Sequence, residues 1–124
     1  VGRRLPAHST SLGKALLAER PAAEVDAILP DNPAQLTPNT VVDRVALHEQ
    51  LSKFRVAGYA HEREENTPGL GCFAVALPYR NPVIDAISCS VPLGRLDADH
   101  ENQVVTALLE GAKTITELLR QFGR

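Results

Sequence analysis

The pattern of apolar and polar positions is most distinctive between residues 69 and 91, where it predicts two antiparallel strands. Residues 69–77 are apolar on both alternating faces, which indicates a strand that is covered on both sides. Residues 83–91 are also strand-like, but they carry Ser88 and Ser90 within the apolar run. Between the two, residues 79–82 have the composition of a turn. We therefore predict a hairpin with small polar groups set into an apolar surface.

The face of the hairpin on which Cys72 lies depends on the length of the connecting loop. Directly opposed residues of an antiparallel pair point to the same face of the sheet. Cys72 shares a face with Ser88 and Ser90 only if the loop has an odd number of residues. A loop over residues 80–82 meets this condition, whereas an even number places the cysteine on the opposite face. Pro82 has no amide donor and favours a loop longer than a two-residue turn, but the sequence leaves both parities open.

Apolar residues at helical spacing predict helices on both sides of this hairpin. The first helix is amphipathic, with Leu12, Leu16 and Leu17 as its apolar stripe. An extended lead-in over residues 1–6 precedes it, and residues 121–124 are expected to fray. The four predicted helices cover about residues 11–19, 22–29, 42–57 and 98–119.

Residue types that favour helix ends mark the boundaries of these helices. Gly58 ends the third helix as a left-handed C-terminal glycine. The predicted start residues are Ser9 or Thr10, Pro21, Thr40 followed by Asp43, and Asp97. The order of helices, then strands, then a helix indicates an α+β fold with an antiparallel sheet rather than a doubly wound parallel sheet.

Composition narrows the class of protein. A chain of 124 residues with 44% hydrophobic and 23% charged residues predicts a single globular domain over residues 1–124. The formal net charge is -2 and the basic residues are scattered, so the pattern offers no basic face for nucleic acid. No apolar run approaches the roughly 20 residues of a membrane-spanning helix, so no membrane partner is expected.

The two cysteines indicate the cellular location of the protein, and the start of the chain indicates whether it is part of a longer protein. Cys72 and Cys89 form no Cys-x-x-Cys pair and no signal peptide is recognisable, so a reduced, cytoplasmic setting is expected. The chain begins at Val1 and contains no methionine, which suggests a piece of a longer protein.

Few residues carry recognisable ligand-binding chemistry. Residues 8–15 contain a Gly-Lys pair but lack the spacing of a phosphate-binding loop. The amides of Ser11 and Leu12 lie in the first turn of a predicted helix, where unpaired amides at the positive helix end can bind a carboxylate or phosphate. The four histidines are scattered without ligand spacing, so neither a metal nor a cofactor is predicted.

The acidic run and the hairpin each allow two interpretations. Residues 61–65 read His-Glu-Arg-Glu-Glu, which fits either a solvated loop or one carboxylate turned inward to accept hydrogen bonds from a ligand. Cys72 fits either a small buried apolar residue or a nucleophile, although spacing suggests no basic partner for it. Ser88 and Ser90 share a face, which hints at the polar wall of a pocket, and no Gly-x-Ser-x-Gly elbow is present.

Three blocks of sequence resemble one known family. Residues 5–18 read Leu-Pro-Ala-His-Ser-Thr-Ser-Leu-Gly-Lys-Ala-Leu-Leu-Ala, similar to the family's Leu-Pro-x-His-x-x-x-x-Gly-Lys-Ala-x-Leu-Ala. Residues 58–60, Glu65 and 69–74 resemble its Gly-Tyr-Ala, Glu and Gly-x-x-Cys-x-Ala positions. Residues 87–92 resemble its Ser-x-Ser strand end. With these blocks in order over nearly its whole length, the chain resembles the C-terminal effector-binding domain of IclR-type bacterial transcriptional regulators.

This resemblance implies a GAF-like α+β fold, with a central antiparallel sheet flanked by helices. It implies an effector-sensing domain rather than an enzyme, and a small carboxylic or aromatic acid as the ligand. It also implies a homodimer or homotetramer that contacts DNA only through a winged helix-turn-helix domain preceding this chain. Two other classes remain open, namely a GAF- or PAS-like sensor module of a different signalling protein and an enzyme that uses Cys72.

The resemblance also implies which residues bind the ligand. The family's helix-start amides correspond to Ser11 and Leu12, and its acidic residue, more often an aspartate, corresponds to Glu62. Gly71 stands where the family often has a larger, basic residue, so a ligand contact is expected to be missing there. The remaining expected contacts are the pocket cysteine Cys72, the paired serines Ser88 and Ser90, and the apolar wall residues Leu5 and Leu70.

Overall fold

The computed structural model describes residues 4–122, and this part of the chain is built from four α-helices and three β-strands. The lead-in predicted over residues 1–6 and the fraying predicted over 121–124 lie partly outside it. In chain order the elements are α1 Ser11–Ala18, α2 Ala22–Ile28, α3 Arg44–Ala57, β1 Ala60–Arg63, β2 Leu70–Ala76, β3 Ala86–Pro92, a 3-10 turn Leu93–Arg95, and α4 Ala98–Phe122. This arrangement confirms the predicted α+β class.

The three strands form one antiparallel sheet in the order β1-β2-β3. Cys72 lies opposite Ser90, and Ala76 lies opposite Ala86. The loop between Ala76 and Ala86 has nine residues. Because this number is odd, Cys72 lies on the same face of the sheet as Ser88 and Ser90, which is one of the two arrangements that the sequence left open. The strand predicted to begin at residue 83 begins instead at Ala86.

Helices cover the two faces of the sheet. The face that carries Ala60 and Ala74 packs against α1, α2 and α3 through a core of Ala15, Leu17, Val25, Leu29, Leu47, Leu51 and Phe54. The other face carries Val75 and packs against α4 through Ala112, with Leu108, Ile115 and Leu119 beside it. The sheet is therefore central, and none of the described helices is long and apolar enough to cross a membrane.

Local cap chemistry correctly predicted several helix boundaries. The Thr10 side chain accepts a hydrogen bond from the Gly13 amide at 3.1 Å, and that of Asp97 accepts one from the His100 amide at 2.7 Å. Gly58 closes α3 in the left-handed region, with φ at 84°.

Helix α2 begins at Ala22 as predicted, with Pro21 as its N-cap. The predicted role of Thr40 at the start of α3 was wrong. Thr40 does not cap α3, because its hydroxyl donates instead to the Glu65 carbonyl at 2.5 Å. Asp43 takes the cap position, where its carboxylate accepts from the Ala46 amide at 3.0 Å.

Gly13 sets how closely α1 approaches the segment that precedes it. A Cβ atom at this position would lie 2.3 Å from the Ala7 carbonyl oxygen and 2.4 Å from the Ala7 Cα atom. Both are backbone atoms that cannot rotate away. A residue without a side chain is therefore required where α1 crosses residue 7.

We expect Gly13→Ala to destabilise the fold by about 3 kcal/mol or more, at the upper end of the cost of overpacking, because the clash is with backbone. The matched control is Gly94→Ala, since a Cβ atom there meets nothing within 4 Å. Urea denaturation followed by circular dichroism measures both changes. Equal stabilities for the two variants would contradict the close approach.

Candidate functional site

A cavity of about 540 Å³ lies between α1 and the face of the sheet that carries Cys72. This volume is within the usual range for sites that bind small molecules. All eight residues predicted to contact a ligand line it: Leu5, Ser11, Leu12, Glu62, Leu70, Cys72, Ser88 and Ser90. The structure thus brings the predicted residues together, while their contact with a ligand stays a prediction.

The start of α1 contributes two amides to the cavity wall. The Gly13 amide donates to the Thr10 hydroxyl, whereas the amides of Ser11 and Leu12 have no hydrogen-bond partner between residues 4 and 122. They lie at the positive end of the helix and can donate hydrogen bonds to a carboxylate group of a ligand. Ser11 is buried, so the first of these amides is held in a shielded position.

The apolar stripe predicted for α1 lies partly in the protein core and partly in the cavity wall. Only Leu17 of the three leucines is buried in the core. Leu12 and Leu16 line the cavity. The spacing therefore identified an apolar surface correctly, but part of that surface faces the cavity rather than the protein interior.

A row of polar side chains crosses the sheet opposite α1. Glu62 pairs with Cys72 across β1 and β2, and Cys72 pairs with Ser90 across β2 and β3. The Cys72 Sγ and Ser90 Oγ atoms are 3.3 Å apart, within hydrogen-bonding distance for sulfur. Ser88 lies two residues along the same face. The cavity floor is therefore polar along one line and apolar around it.

Glu62 is the acidic group of this row. Its side chain is buried, and its Oε2 atom accepts a hydrogen bond from the Glu65 amide at 2.8 Å. This bond fixes the orientation of the carboxylate in the cavity wall. Of the two interpretations of residues 61–65, the inward carboxylate therefore holds for Glu62.

A buried ion pair behind the wall was missed by the sequence analysis. The Lys14 Nζ atom donates to Glu65 Oε1 at 2.6 Å and to Gln50 Oε1 at 2.7 Å, and the Lys14 side chain is fully buried. Burial lowers the pKa of Lys14, and the Glu65 carboxylate opposes that shift. The solvated-loop interpretation is therefore wrong for Glu65. Spacing gave no signal for this pair, because Lys14 lies off the apolar stripe of Leu12, Leu16 and Leu17 predicted for α1.

Gly71 does not belong to the cavity. A Cβ atom there would point to the opposite face of the sheet, 3.0 Å from a Leu96 methyl carbon and 3.1 Å from a Leu93 methyl carbon. The expectation of a missing ligand contact at Gly71 was therefore wrong, since a side chain at this position would face away from the cavity.

The Cys72 thiol is not activated for nucleophilic attack. Burial raises its pKa to about 11, the Ser90 hydroxyl lowers it in part, and the Glu62 carboxylate raises it further. The thiol is therefore protonated at neutral pH and acts as a weak hydrogen-bonding group. Among residues 4–122, no cluster of three His, Cys, Asp or Glu side chains could hold a metal ion.

Comparison with known proteins identifies the family. The family described as "Bacterial transcriptional regulator IclR C-terminal" matches residues 1–117, and the chain belongs to it. The transcriptional repressor AllR of Klebsiella pneumoniae is 38% identical over 122 residues, which cover 96% of this chain and 44% of AllR. The chain therefore spans less than half the length of this relative.

Two solved structures share the fold. The C-terminal domain of Escherichia coli KdgR superposes with a TM-score of 0.88 at 33% identity, over 97% of this chain and 74% of that one. An IclR homolog from Microbacterium hydrocarbonoxydans, complexed with 4-hydroxybenzoate, gives a TM-score of 0.80 at 32% identity, over 98% and 49% of the two chains. These similarities confirm the predicted GAF-like fold.

The raised pKa of Cys72 predicts slow alkylation. In a Cys89→Ala background at pH 8, Cys72 should react with iodoacetamide at about a thousandth of its limiting rate, because so little thiolate is present when the pKa is about 11. The rate should rise about tenfold per pH unit. Mass spectrometry of quenched samples measures it, and the same variant in urea provides the control. A plateau already reached at pH 8 would indicate an activated thiol instead.

Proposed function

We propose that this chain is the effector-sensing domain of a DNA-binding transcriptional regulator, and that its cavity binds a small carboxylic or aromatic acid. One observation supports this most directly. The amides of Ser11 and Leu12, which have no hydrogen-bond partner among the described residues, face the same cavity as the polar row on the sheet. The 4-hydroxybenzoate in the Microbacterium structure is an acid of this class.

The polar groups suggest how the ligand lies. Its carboxylate would accept hydrogen bonds from the amides of Ser11 and Leu12 and from the hydroxyls of Ser88 and Ser90. Its apolar body would pack against Leu5 and Leu70 and against the uncharged thiol of Cys72.

Glu62 would select the other end of the ligand. A carboxylate acceptor favours a hydroxyl or an amine on the ligand, because each donates a hydrogen bond to it. It disfavours a second negative charge, which would stand unpaired beside the buried Glu62 side chain. The favoured ligand is thus a monoacid with a donor group.

In the whole protein, binding would regulate transcription through its oligomers. We propose a cytoplasmic homodimer or homotetramer in which a winged helix-turn-helix domain outside this chain binds DNA. A ligand can change DNA affinity only by favouring one arrangement of the subunits over another. This chain would serve as a sensor and not as a catalyst, in keeping with its protonated Cys72 thiol.

A thermal-shift screen of this chain against benzoate, 3-hydroxybenzoate, 4-hydroxybenzoate and small aliphatic hydroxy acids tests the cavity. A ligand at 100 times its Kd should stabilise the fold by about 2.7 kcal/mol. Ser88→Ala should weaken binding by about tenfold or more, because a hydrogen bond to a charged group is lost. Cys72→Leu should weaken it by filling the cavity.

Ser52→Ala is the matched control, since this serine is exposed on α3 away from the cavity. It should leave the shift unchanged. A ligand whose shift survives both cavity substitutions binds elsewhere, and this outcome would overturn the assignment of the cavity as the site.

Regulation is tested with the full-length protein. DNA selected by that protein from a random-sequence pool serves as the operator, and its affinity is measured with and without a ligand identified in the screen. We expect a change of about 5-fold to 150-fold, the usual range of coupling between two sites. An unchanged affinity together with an unchanged sedimentation coefficient would contradict the sensing role.

A further inference from the structure

Lys14 lies directly behind the cavity without lining it. Its ammonium group is fully buried and donates to Glu65 and Gln50, so it has no direct route to a ligand. Its influence passes instead through Glu65, whose amide holds the Glu62 carboxylate at 2.8 Å. Lys14 is thus connected to the acidic wall group by one intervening residue.

Three charged side chains are buried together at this place, and their charges do not cancel. Lys14, Glu62 and Glu65 are all less than 10% exposed, and both carboxylates attract the Lys14 ammonium, Glu65 more strongly than Glu62. One cation offsets one of two anions. The remaining negative charge belongs to the group that faces the cavity, which is Glu62.

Neighbouring polar groups leave this charge count unchanged. From α3 the cluster receives the neutral Gln50, and from β2 it receives the protonated Cys72 thiol. The Glu64 carboxylate is turned to the surface, where it accepts from the Gly69 amide at 3.0 Å and the Asn39 side chain at 3.1 Å.

The nearest side chains of β1 point to the other face of the sheet. The His61 ring lies there among aromatic rings, and partial desolvation lowers its pKa, which favours the neutral imidazole. Arg63 pairs with Glu101 of α4 at 2.6 Å on that same face. Neither residue adds a net charge to the cavity.

We propose that Glu65 is a specificity-determining residue of the effector site, although it does not line the cavity. By pairing with Lys14 it keeps this cation from neutralising Glu62, so the cavity retains one negative charge and selects monoanionic effectors over dianionic ones. This inference rests on the proposed effector-binding function of the cavity.

The proposal predicts the charge at the cavity in each of three variants. Lys14→Met leaves two buried carboxylates without a cation, which favours uptake of a proton by one of them. Glu65→Gln leaves Lys14 facing Glu62 alone, which neutralises the wall. Lys14→Met combined with Glu65→Gln removes both partners and restores the single charge of Glu62.

The ligand arm of the test uses 4-hydroxybenzoate and terephthalate, which share an aromatic acid body but differ by one negative charge. Calorimetry gives the ratio of their affinities for each protein. Glu65→Gln should reduce the preference for 4-hydroxybenzoate by about tenfold, the size expected from one partly screened charge, and the double variant should return it to within about threefold of the parent. The same preference in all proteins would overturn the proposal.

A second arm needs no ligand. Carbon-13 NMR of protein labelled at the glutamate side-chain carboxyls reports the ionisation of Glu62 and Glu65 directly. At pH 7, Lys14→Met should shift one of these two resonances toward the protonated position, and the double variant should not. If both carboxyls stay ionised in Lys14→Met, the proposal is wrong.

The two arms separate the possible failures. Failure of the parent to bind either acid, with the expected NMR shift present, counts against the proposed ligand class and supports the charge role of Lys14. Should Lys14→Met fail to fold, two variants still test the charge count: in Glu65→Gln the buried Lys14 can pair with Glu62, and the double variant has no buried cation to pair.

Discussion

The buried ion pair between Lys14 and Glu65 is the interaction on which the rest of this domain depends. A lysine ammonium removed from water is costly unless it is paired and its remaining donors are satisfied, and here Glu65 and Gln50 supply the acceptors. The Glu65 carboxylate also accepts from the Val41 amide at 3.2 Å, and its carbonyl accepts from Thr40. Four separate parts of the chain therefore meet at one pair of charges, and losing either partner would cost about 3–5 kcal/mol.

That junction fixes both walls of the cavity at once. Lys14 belongs to α1, whose first turn forms one wall, and Glu65 follows β1, which carries Glu62 into the other. The register of the sheet then completes the polar row, because it places Glu62, Cys72 and Ser90 side by side on neighbouring strands. A helix start and a strand row that are far apart in sequence thus face one another across a space suited to a small acid.

Features decided by neighbouring residues could be predicted from the sequence, and features decided by distant partners could not. Thr10 and Asp97 cap helices because the amides that donate to their side chains lie three residues ahead of them. Thr40 was misassigned because its hydroxyl bonds to a carbonyl 25 residues away. Lys14 was missed because its partner is 51 residues away. The eight site residues came from family resemblance, and spacing alone had suggested only a polar strand face and a helix start.

The polar row of the cavity ends on an edge strand of the described sheet. Between residues 4 and 122, β3 pairs only with β2, and Ser88 and Ser90 are exposed on it. An edge strand with one neighbour opens more readily than a central strand. An acid held by both these serines and the α1 amides would join the edge strand to the helix. Its binding free energy would then stabilise this edge of the sheet against α1, and that support would be lost when the ligand leaves.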